Sequence, residues 1–293
     1  MENFRPAGAE KMHKVIVDLT VVGPDREGIV SAITSFIFKN GGNIESINQN
    51  VVKGIFGMQL ESSFEPLPSD DSLERGLEKL AKELNLEIGT RLRESGTLKR
   101  MAIIVSREVH CLKTILKEQA SKQLKVEIPV IIGSSAECMA IAEKGKIPFH
   151  LVNDQEEAKR EMRMLKLLEE CRVDFIALAR YMRILSPNFI WRYPNRIINI
   201  HPSLLPAFPG ASAYAQAYER GARVIGCTAH FATWELDQGP IIWQEAFSVN
   251  PGESLETIIE RGRRVEANVL VKALKLYAKD KLEVEWNIVR IKR

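Results

Sequence analysis

Cysteine is scarce in this chain: four occur among 293 residues, Cys111, Cys138, Cys171 and Cys227. No two are close in sequence and no C-x-x-C pair occurs, which excludes a zinc ribbon or a disulfide scaffold. That usage fits a reducing cytosol, and a cytoplasmic location with no metal site is expected. Charge of one sign is also lacking. The net charge is +3, and no Lys/Arg run forms a polybasic tract, so neither a nucleic-acid nor an acidic-membrane partner is expected. No apolar run approaches the ~20 residues of a spanning helix. The polar stretch from Met1 to Lys14 has no apolar core, so no secretory signal is expected. Internal repeats and low-complexity segments are absent. What is present, 45% hydrophobic and 27% charged residues, is the composition of a globular protein long enough for two domains.

The first hundred residues predict a βαββαβ order, the split-βαβ ferredoxin-like pattern. Residues 14–22 alternate and are β-branched, as in a strand. Ile29, Val30, Ile33, Phe36 and Ile37 recur at helical spacing up to the Asn40-Gly41-Gly42 stop. Residues 43–52 and 55–64 predict a hairpin turning at Lys53-Gly54. Residues 69–84 predict an amphipathic helix capped by Ser69 or Asp70, and 86–92 a fourth strand. Residues 1–93 are therefore expected to form one domain, 94–99 a polar linker and 100–293 a second domain.

From Met101 onward the pattern changes. Continuous apolar runs (MAIIVS, VEIPVIIG, IPFHLV, VDFIALA, RIINI) alternate with helical segments, as in an open, mostly parallel α/β sheet covered on both faces. Residues 224–231 and 240–247 predict further strands. A long helix over 254–278 and a final alternating strand over 282–292 close the chain.

Two segments carry candidate chemistry. In RIINIHPSLLPAFPGA (Arg196 to Ala211), Asn199 and His201 stand one residue apart at a strand end. Alternate strand residues face the same way, so both can enter one crevice at the carboxyl edge of the sheet. On spacing alone, a polar strand end bonded to its own loop is slightly the simpler reading. In GCTAHFATWELDQGPII (Gly226 to Ile242), a strand carries His230 and a loop carries Asp237, which alone reads as readily as a turn residue. Together, Asn199, His201 and Asp237 make an amide donor, an imidazole and a carboxylate. That set suits acyl chemistry: two donors for a developing oxyanion, and a carboxylate that holds the imidazole's charge or takes a proton from the nucleophile. No G-x-S-x-G elbow occurs, so attack by water or an amine is expected rather than an acyl-enzyme.

The run from Asn199 to Phe208 (NIHPSLLPAF), with Leu236-Asp237-x-Gly239-Pro240 downstream, resembles the signature of the folate-dependent formyltransferase fold. Three features are similar to its formyltetrahydrofolate deformylase branch: GPDREGIV and NGGNI, which resemble an ACT domain (Gly23 to Val30, Asn40 to Ile44), LARYMRILSP (Leu178 to Pro187), and the His110-Cys111-Leu112 that follows the first apolar strand. The resemblance implies hydrolysis of 10-formyltetrahydrofolate, with no cofactor besides that substrate. It implies that Asn199, His201 and Asp237 are catalytic, and that Met182, Arg183, Ile184 and Leu185, with His230, Thr233 and Gly239, bind the substrate. It further implies an amino-acid effector near Asp25, Gly28 and Asn43, glycine and methionine being the ligands suggested, and a homo-oligomer. A turn-shaping role for Gly28 and Asn40-Gly41-Gly42 has about equal weight.

The chain departs from the pattern at Pro202, Ala213, Ala215 and Trp234, and at Gly133-Ser134. No glycine lies between Met101 and Lys117, so a phosphate cradle is not expected there and water is the expected acceptor. Two other functions remain open: formyl transfer to an amine, and a weakly catalytic folate or amino-acid sensor. His13, His110 and His150 are expected at the surface or in packing, Lys272, Lys275 and Lys279 on a solvated face, and Met58, Met101 and Met139 in the core. Cys227 and His230 are expected on opposite faces of their strand.

Overall fold

A computed structural model describes residues 15–65, 70–92 and 98–292. The chain divides into two compact units, Met1–Gly96 and Thr97–Arg293. The first runs β1 (Val15–Pro24), α1 (Ile29–Lys39), β2 (Gly42–Val52), β3 (Ile55–Phe64), α2 (Asp70–Leu84) and β4 (Glu87–Leu92). Its strands lie in the order β2-β3-β1-β4, every neighbouring pair antiparallel. Alternation along β1 sends Val17, Leu19 and Val21 into the core, where Ile29, Ile33 and Ile37 of α1 meet them at four-residue spacing. The β2–β3 hairpin turns on Lys53 (φ 52) and Gly54 (φ 74), the left-handed pair that a two-residue turn requires. The Ser69 cap, Arg93, the linker residues 94–97 and His13 lie outside the described residues.

The second unit holds β5 (Arg100–Val105), α3 (His110–Ala120), β6 (Glu127–Gly133), α4 (Met139–Lys144), β7 (Phe149–Leu151), α5 (Glu157–Glu170), β8 (Phe175–Ala179), α6 (Pro187–Ile190), β9 (Ile197–His201), α7 (Ala213–Glu219), β10 (Val224–Phe231), β11 (Ile241–Ser248), α8 (Leu255–Ala278), β12 (Leu282–Glu285) and β13 (Ile288–Ile291). Seven strands form one sheet in the order β11-β10-β9-β8-β5-β6-β7. The strands from β5 to β9 are parallel, and β10 and β11 return antiparallel. Residues of β5 alternate between two cores: Met101, Ile103 and Val105 join one cluster, Ala102 and Ile104 the other. A strand buried on both faces is continuously apolar for this reason. Strand order reverses between β5 and β8, so a crevice opens above their carboxyl ends.

Several expectations need correction. Residues 282–292 form a hairpin, not one strand, turning at Trp286 (φ 50) and Asn287 (φ 64). A two-residue turn preserves the alternation, so the pattern conceals it. Of the three lysines expected on a solvated face, Lys272 and Lys279 are exposed, whereas Lys275 is partly buried with its Nζ 2.6 Å from Glu118. Met139 is only half-buried, whereas Met58 and Met101 are in the core. Cys227 does face the core while His230 faces away from it.

Candidate active site

The trio comes together through the antiparallel return of β10. In the β9–β10 register His230 stands directly opposite Asn199, and Thr228 opposite His201. On its other side β10 meets a bulge of β11, Ile242 standing unpaired between the Ala229–Trp243 and His230–Ile241 pairs. The Nδ1 of His230 lies 2.9 Å from the Phe231 carbonyl, which only accepts, so Nδ1 carries the hydrogen. Its Nε2 then accepts from the Asn199 amide, 3.2 Å away. Burial pushes the His230 pKa down, outweighing its backbone hydrogen bond and the nearby Asp237 charge, which keeps the ring neutral. His230 thus fixes the orientation of Asn199. The second N–H of that amide has no partner among the described residues and faces the cavity.

His201 is buried at the end of β9. Its Nε2 donates to the Phe208 carbonyl at 3.0 Å, and its Nδ1 lies 3.3 Å from Asp237 Oδ2. Both ring nitrogens face acceptors, and the ring can donate to both only as the imidazolium. Asp237 holds a left-handed conformation (φ 55) in the loop between β10 and β11. Its Oδ2 also accepts from the Gly210 N–H at 2.9 Å, while Oδ1 lies 3.8 Å from His230 Nε2. Burial raises the Asp237 pKa, but the His201 and Gly210 hydrogen bonds and the two imidazoles outweigh it, leaving the carboxyl below its ordinary value. It is a carboxylate at neutral pH.

These side chains line a cavity of about 510 Å³. Met182, Arg183, Ile184, Leu185, His230 and Thr233 line it too. Met182, Ile184, Trp234 and Leu236 are 59%, 62%, 39% and 53% exposed, an apolar mouth of the kind that marks a ligand site. Three anchors hold the 182–186 wall. Ser106 Oγ accepts the Met182 N–H at 3.0 Å, and Arg183 reaches the Asp154 carbonyl at 3.0 Å. Buried Glu161 accepts both the N–H and the hydroxyl of Ser186. Gly239 does not line the cavity. It packs behind the loop, where a Cβ would stand 1.7 Å from the Phe231 carbonyl oxygen.

Asp25, Gly28 and Asn43 do not meet within one chain. Asp25 donates its N–H to Gly54, at the start of β3, whereas Asn43 pairs with Ser63 near its end. That separation is roughly 25–30 Å along a strand. Gly28 (φ 86) precedes α1 at the Asp25 end.

The residues that the sequence reading missed lie at the other pole of the cavity: Glu108, His110, Arg180, Tyr214, Arg263 and Glu266. His110, expected at the surface or in packing, is half-buried, and its Nε2 bonds Glu266 at 3.1 Å. A signal existed. Ile258, Gly262, Glu266, Leu270 and Leu274 recur at four-residue spacing on the buried face of α8, and a glutamate in that row needs partners. The cysteines offer no nucleophile there, since burial, and then the Glu266 charge, push the Cys111 and Cys227 thiols up.

Residues 99–274 match the formyl transferase family and residues 15–90 the ACT domain family. The formyltetrahydrofolate deformylase of Bacillus subtilis (strain 168) is 40% identical over 92% of this chain and 91% of its own length. That of Haemophilus influenzae is 40% identical over 90% of this chain and 94% of its own. Among solved structures, a formyltetrahydrofolate deformylase from Pseudomonas syringae pv. tomato aligns over 97% of this chain and 96% of its own, at 31% identity and a TM-score of 0.67. A glycinamide ribonucleotide transformylase from Symbiobacterium toebii covers 68% of this chain and 96% of its own, at 32% identity and a TM-score of 0.66. With a formyl transferase domain behind an ACT domain and such relatives along nearly its whole length, the chain belongs to the formyltetrahydrofolate deformylase family.

Proposed function

We propose that this protein hydrolyses 10-formyltetrahydrofolate to formate and tetrahydrofolate, with Asn199, His201 and Asp237 as its catalytic residues. The observation that carries the reading is the pattern of valences left open in the cavity. Asn199 has one uncommitted N–H, a donor for the formyl oxygen. Asp237 has Oδ2 committed to Gly210 and His201 and Oδ1 open, an acceptor for a water proton. A donor for the carbonyl oxygen beside an acceptor for the nucleophile is what addition of water to an amide requires.

As water adds to the formyl carbon, its proton passes to Asp237 Oδ1. The negative charge growing on the formyl oxygen is met by the Asn199 amide and the field of the His201 ring. Returning the proton to the folate nitrogen breaks the C–N bond and leaves formate. The apolar mouth (Met182, Ile184, Trp234, Leu236) takes the planar part of the folate.

Water is favoured over a phosphorylated amine acceptor because the second pole presents two carboxylates, Glu108 and Glu266, already engaged with Arg263, His110 and Arg180. The test is formate release from 10-formyltetrahydrofolate with no added acceptor. Release at an undiminished rate without an amine supports hydrolysis, and strict dependence on an amine refutes it.

The first unit is inferred to be regulatory. Asp25 and Asn43 lie at opposite ends of its sheet, so an amino-acid site using both is built across two copies. The exposed β2 edge, with Ile47 and Val51 outward, suits such pairing.

A further inference from the structure

We propose that Glu266, acting through the Tyr214 hydroxyl, is a positioning residue that sets the 202–212 loop so that Phe208 and Gly210 meet His201 and Asp237. The proposal rests on the catalytic assignment above and adds residues on α7 and α8 to it.

The loop needs an anchor. Phe208 (φ 51), Gly210 (φ 81) and Ser212 (φ 59) are all left-handed, and two of them are not glycine. Such conformations persist only where the surroundings over-determine them. The first half of the loop is tied to β10 and β11. Thr228 Oγ1 donates to the Ser203 carbonyl and accepts the Leu205 N–H, and Gln244 donates to the Leu205 carbonyl. The second half supplies both backbone contacts of the site: the Phe208 carbonyl on His201 Nε2 and the Gly210 N–H on Asp237 Oδ2. Four residues beyond Gly210, the Tyr214 hydroxyl donates to Glu266 Oε1 at 2.9 Å.

The receiving end is built for this bond. Glu266 is 1% exposed, and a buried carboxylate is retained only with partners. His110 Nε2 stands 3.1 Å away and Arg180 Nε 3.4 Å. His110 Nδ1 faces Glu108 at 3.6 Å, which in turn holds Arg263. The neutral thiols of Cys111 and Cys227 complete the surroundings. Burial raises the Glu266 pKa, but His110, Arg180 and Tyr214 outweigh it and leave the group ionised. Helix α8 also makes room for the phenol: a Cβ on Gly262 would stand 2.3 Å from the Tyr214 ring. The strut therefore joins an ion-paired carboxylate on a long helix to the loop that holds both His201 and Asp237.

The test is the pH dependence of kcat/KM for formate release. Tyr214→Phe deletes one hydroxyl and leaves Glu266 its cationic partners, so folding is expected to survive. Slackening the loop weakens the Gly210 N–H bond, which favours the charged form of Asp237. The acid limb should move up by about one pH unit, with kcat reduced about tenfold and KM within about threefold. Glu266→Gln keeps an acceptor for the hydroxyl and should show no upward shift. Loss of its negative charge acting through space would move the limb down, and the sign separates the two effects.

Hydrogen exchange at the Gly210 amide gives a second readout, about tenfold faster in Tyr214→Phe than in the wild type. A Tyr214→Phe profile and amide that superimpose on the wild type overturn the proposal, as does an equal upward shift in Glu266→Gln. Absence of formate release by the wild type would instead overturn the catalytic reading itself.

Discussion

Asp237→Asn is the cleanest perturbation of the site. Asparagine has the same shape and tolerates the left-handed conformation that residue 237 adopts (φ 55), so the backbone is not newly strained. Its amide oxygen can still accept the Gly210 N–H now 2.9 Å from Oδ2. What disappears is the charge facing His201 Nδ1 at 3.3 Å and the acceptor for the water proton. Both matter most while charge is developing, so the loss belongs to kcat. A general base is worth ~10²- to 10⁴-fold, and a loss of ~10³ is about 4 kcal/mol of transition-state stabilisation. Folate affinity should stay within a few-fold, since the proposed reading places the folate against the mouth formed by Met182, Ile184, Trp234 and Leu236. The assay is formate release at saturating 10-formyltetrahydrofolate, with folate affinity by calorimetry alongside. Turnover within tenfold of wild type would refute the reasoning, and a large loss of affinity with kcat preserved would move Asp237 from catalysis to binding.

Asn199→Ala and His201→Ala should each cost ~10²- to 10³-fold in kcat, and the double variant should fall well short of the product because the two act as one unit; fully multiplicative losses in the same assay would mean independent roles. Asp237 has a depressed folded pKa, so its contribution to stability is complete above the unfolded value of ~3.9 and is lost as pH falls through the folded value. The urea midpoints of wild type and Asp237→Asn should therefore converge below about pH 4, and convergence at neutral pH would contradict the ionised, hydrogen-bonded carboxylate. A fragment beginning at Glu94 should keep measurable formate release, lose any response to glycine or methionine and elute as a smaller species on sizing. A fragment that is folded by circular dichroism yet inactive would show that the first unit completes the active site.

The sheet architecture was legible because burial writes itself into sequence. The central parallel strands β5 and β8 are apolar on both faces, and the first unit alternates with the period of a half-buried sheet. The trio was legible as residue types at a strand end and in a loop. Its geometry was not, because it depends on the cross-strand register that sets His230 opposite Asn199 and on a bulge at Ile242 in the β10–β11 ladder. No local pattern announces that bulge. Gly239 reads as part of a binding loop, but its lack of a side chain serves the Phe231 carbonyl behind it. Asp25 and Asn43 are grouped by the resemblance to an ACT domain, and no local pattern tells that they lie at opposite ends of the first unit's sheet.

The second pole shows how a site can be divided between chemistry and exclusion. The loop after β5 carries Glu108 and α3 opens with His110, which bridges the carboxylates of Glu108 and Glu266, themselves paired with Arg263 and Arg180 along the cavity wall. A chain already balanced internally offers an incoming phosphate no net positive field, and binding would require an existing pair to break. Water needs no such room. The charges that keep a larger acceptor out also anchor Tyr214 and, through it, the loop on which His201 and Asp237 depend. Opening this pole to an amine acceptor by removing Glu266 would therefore slacken the catalytic loop at the same stroke, and a switch from water to amine needs compensating change in α7.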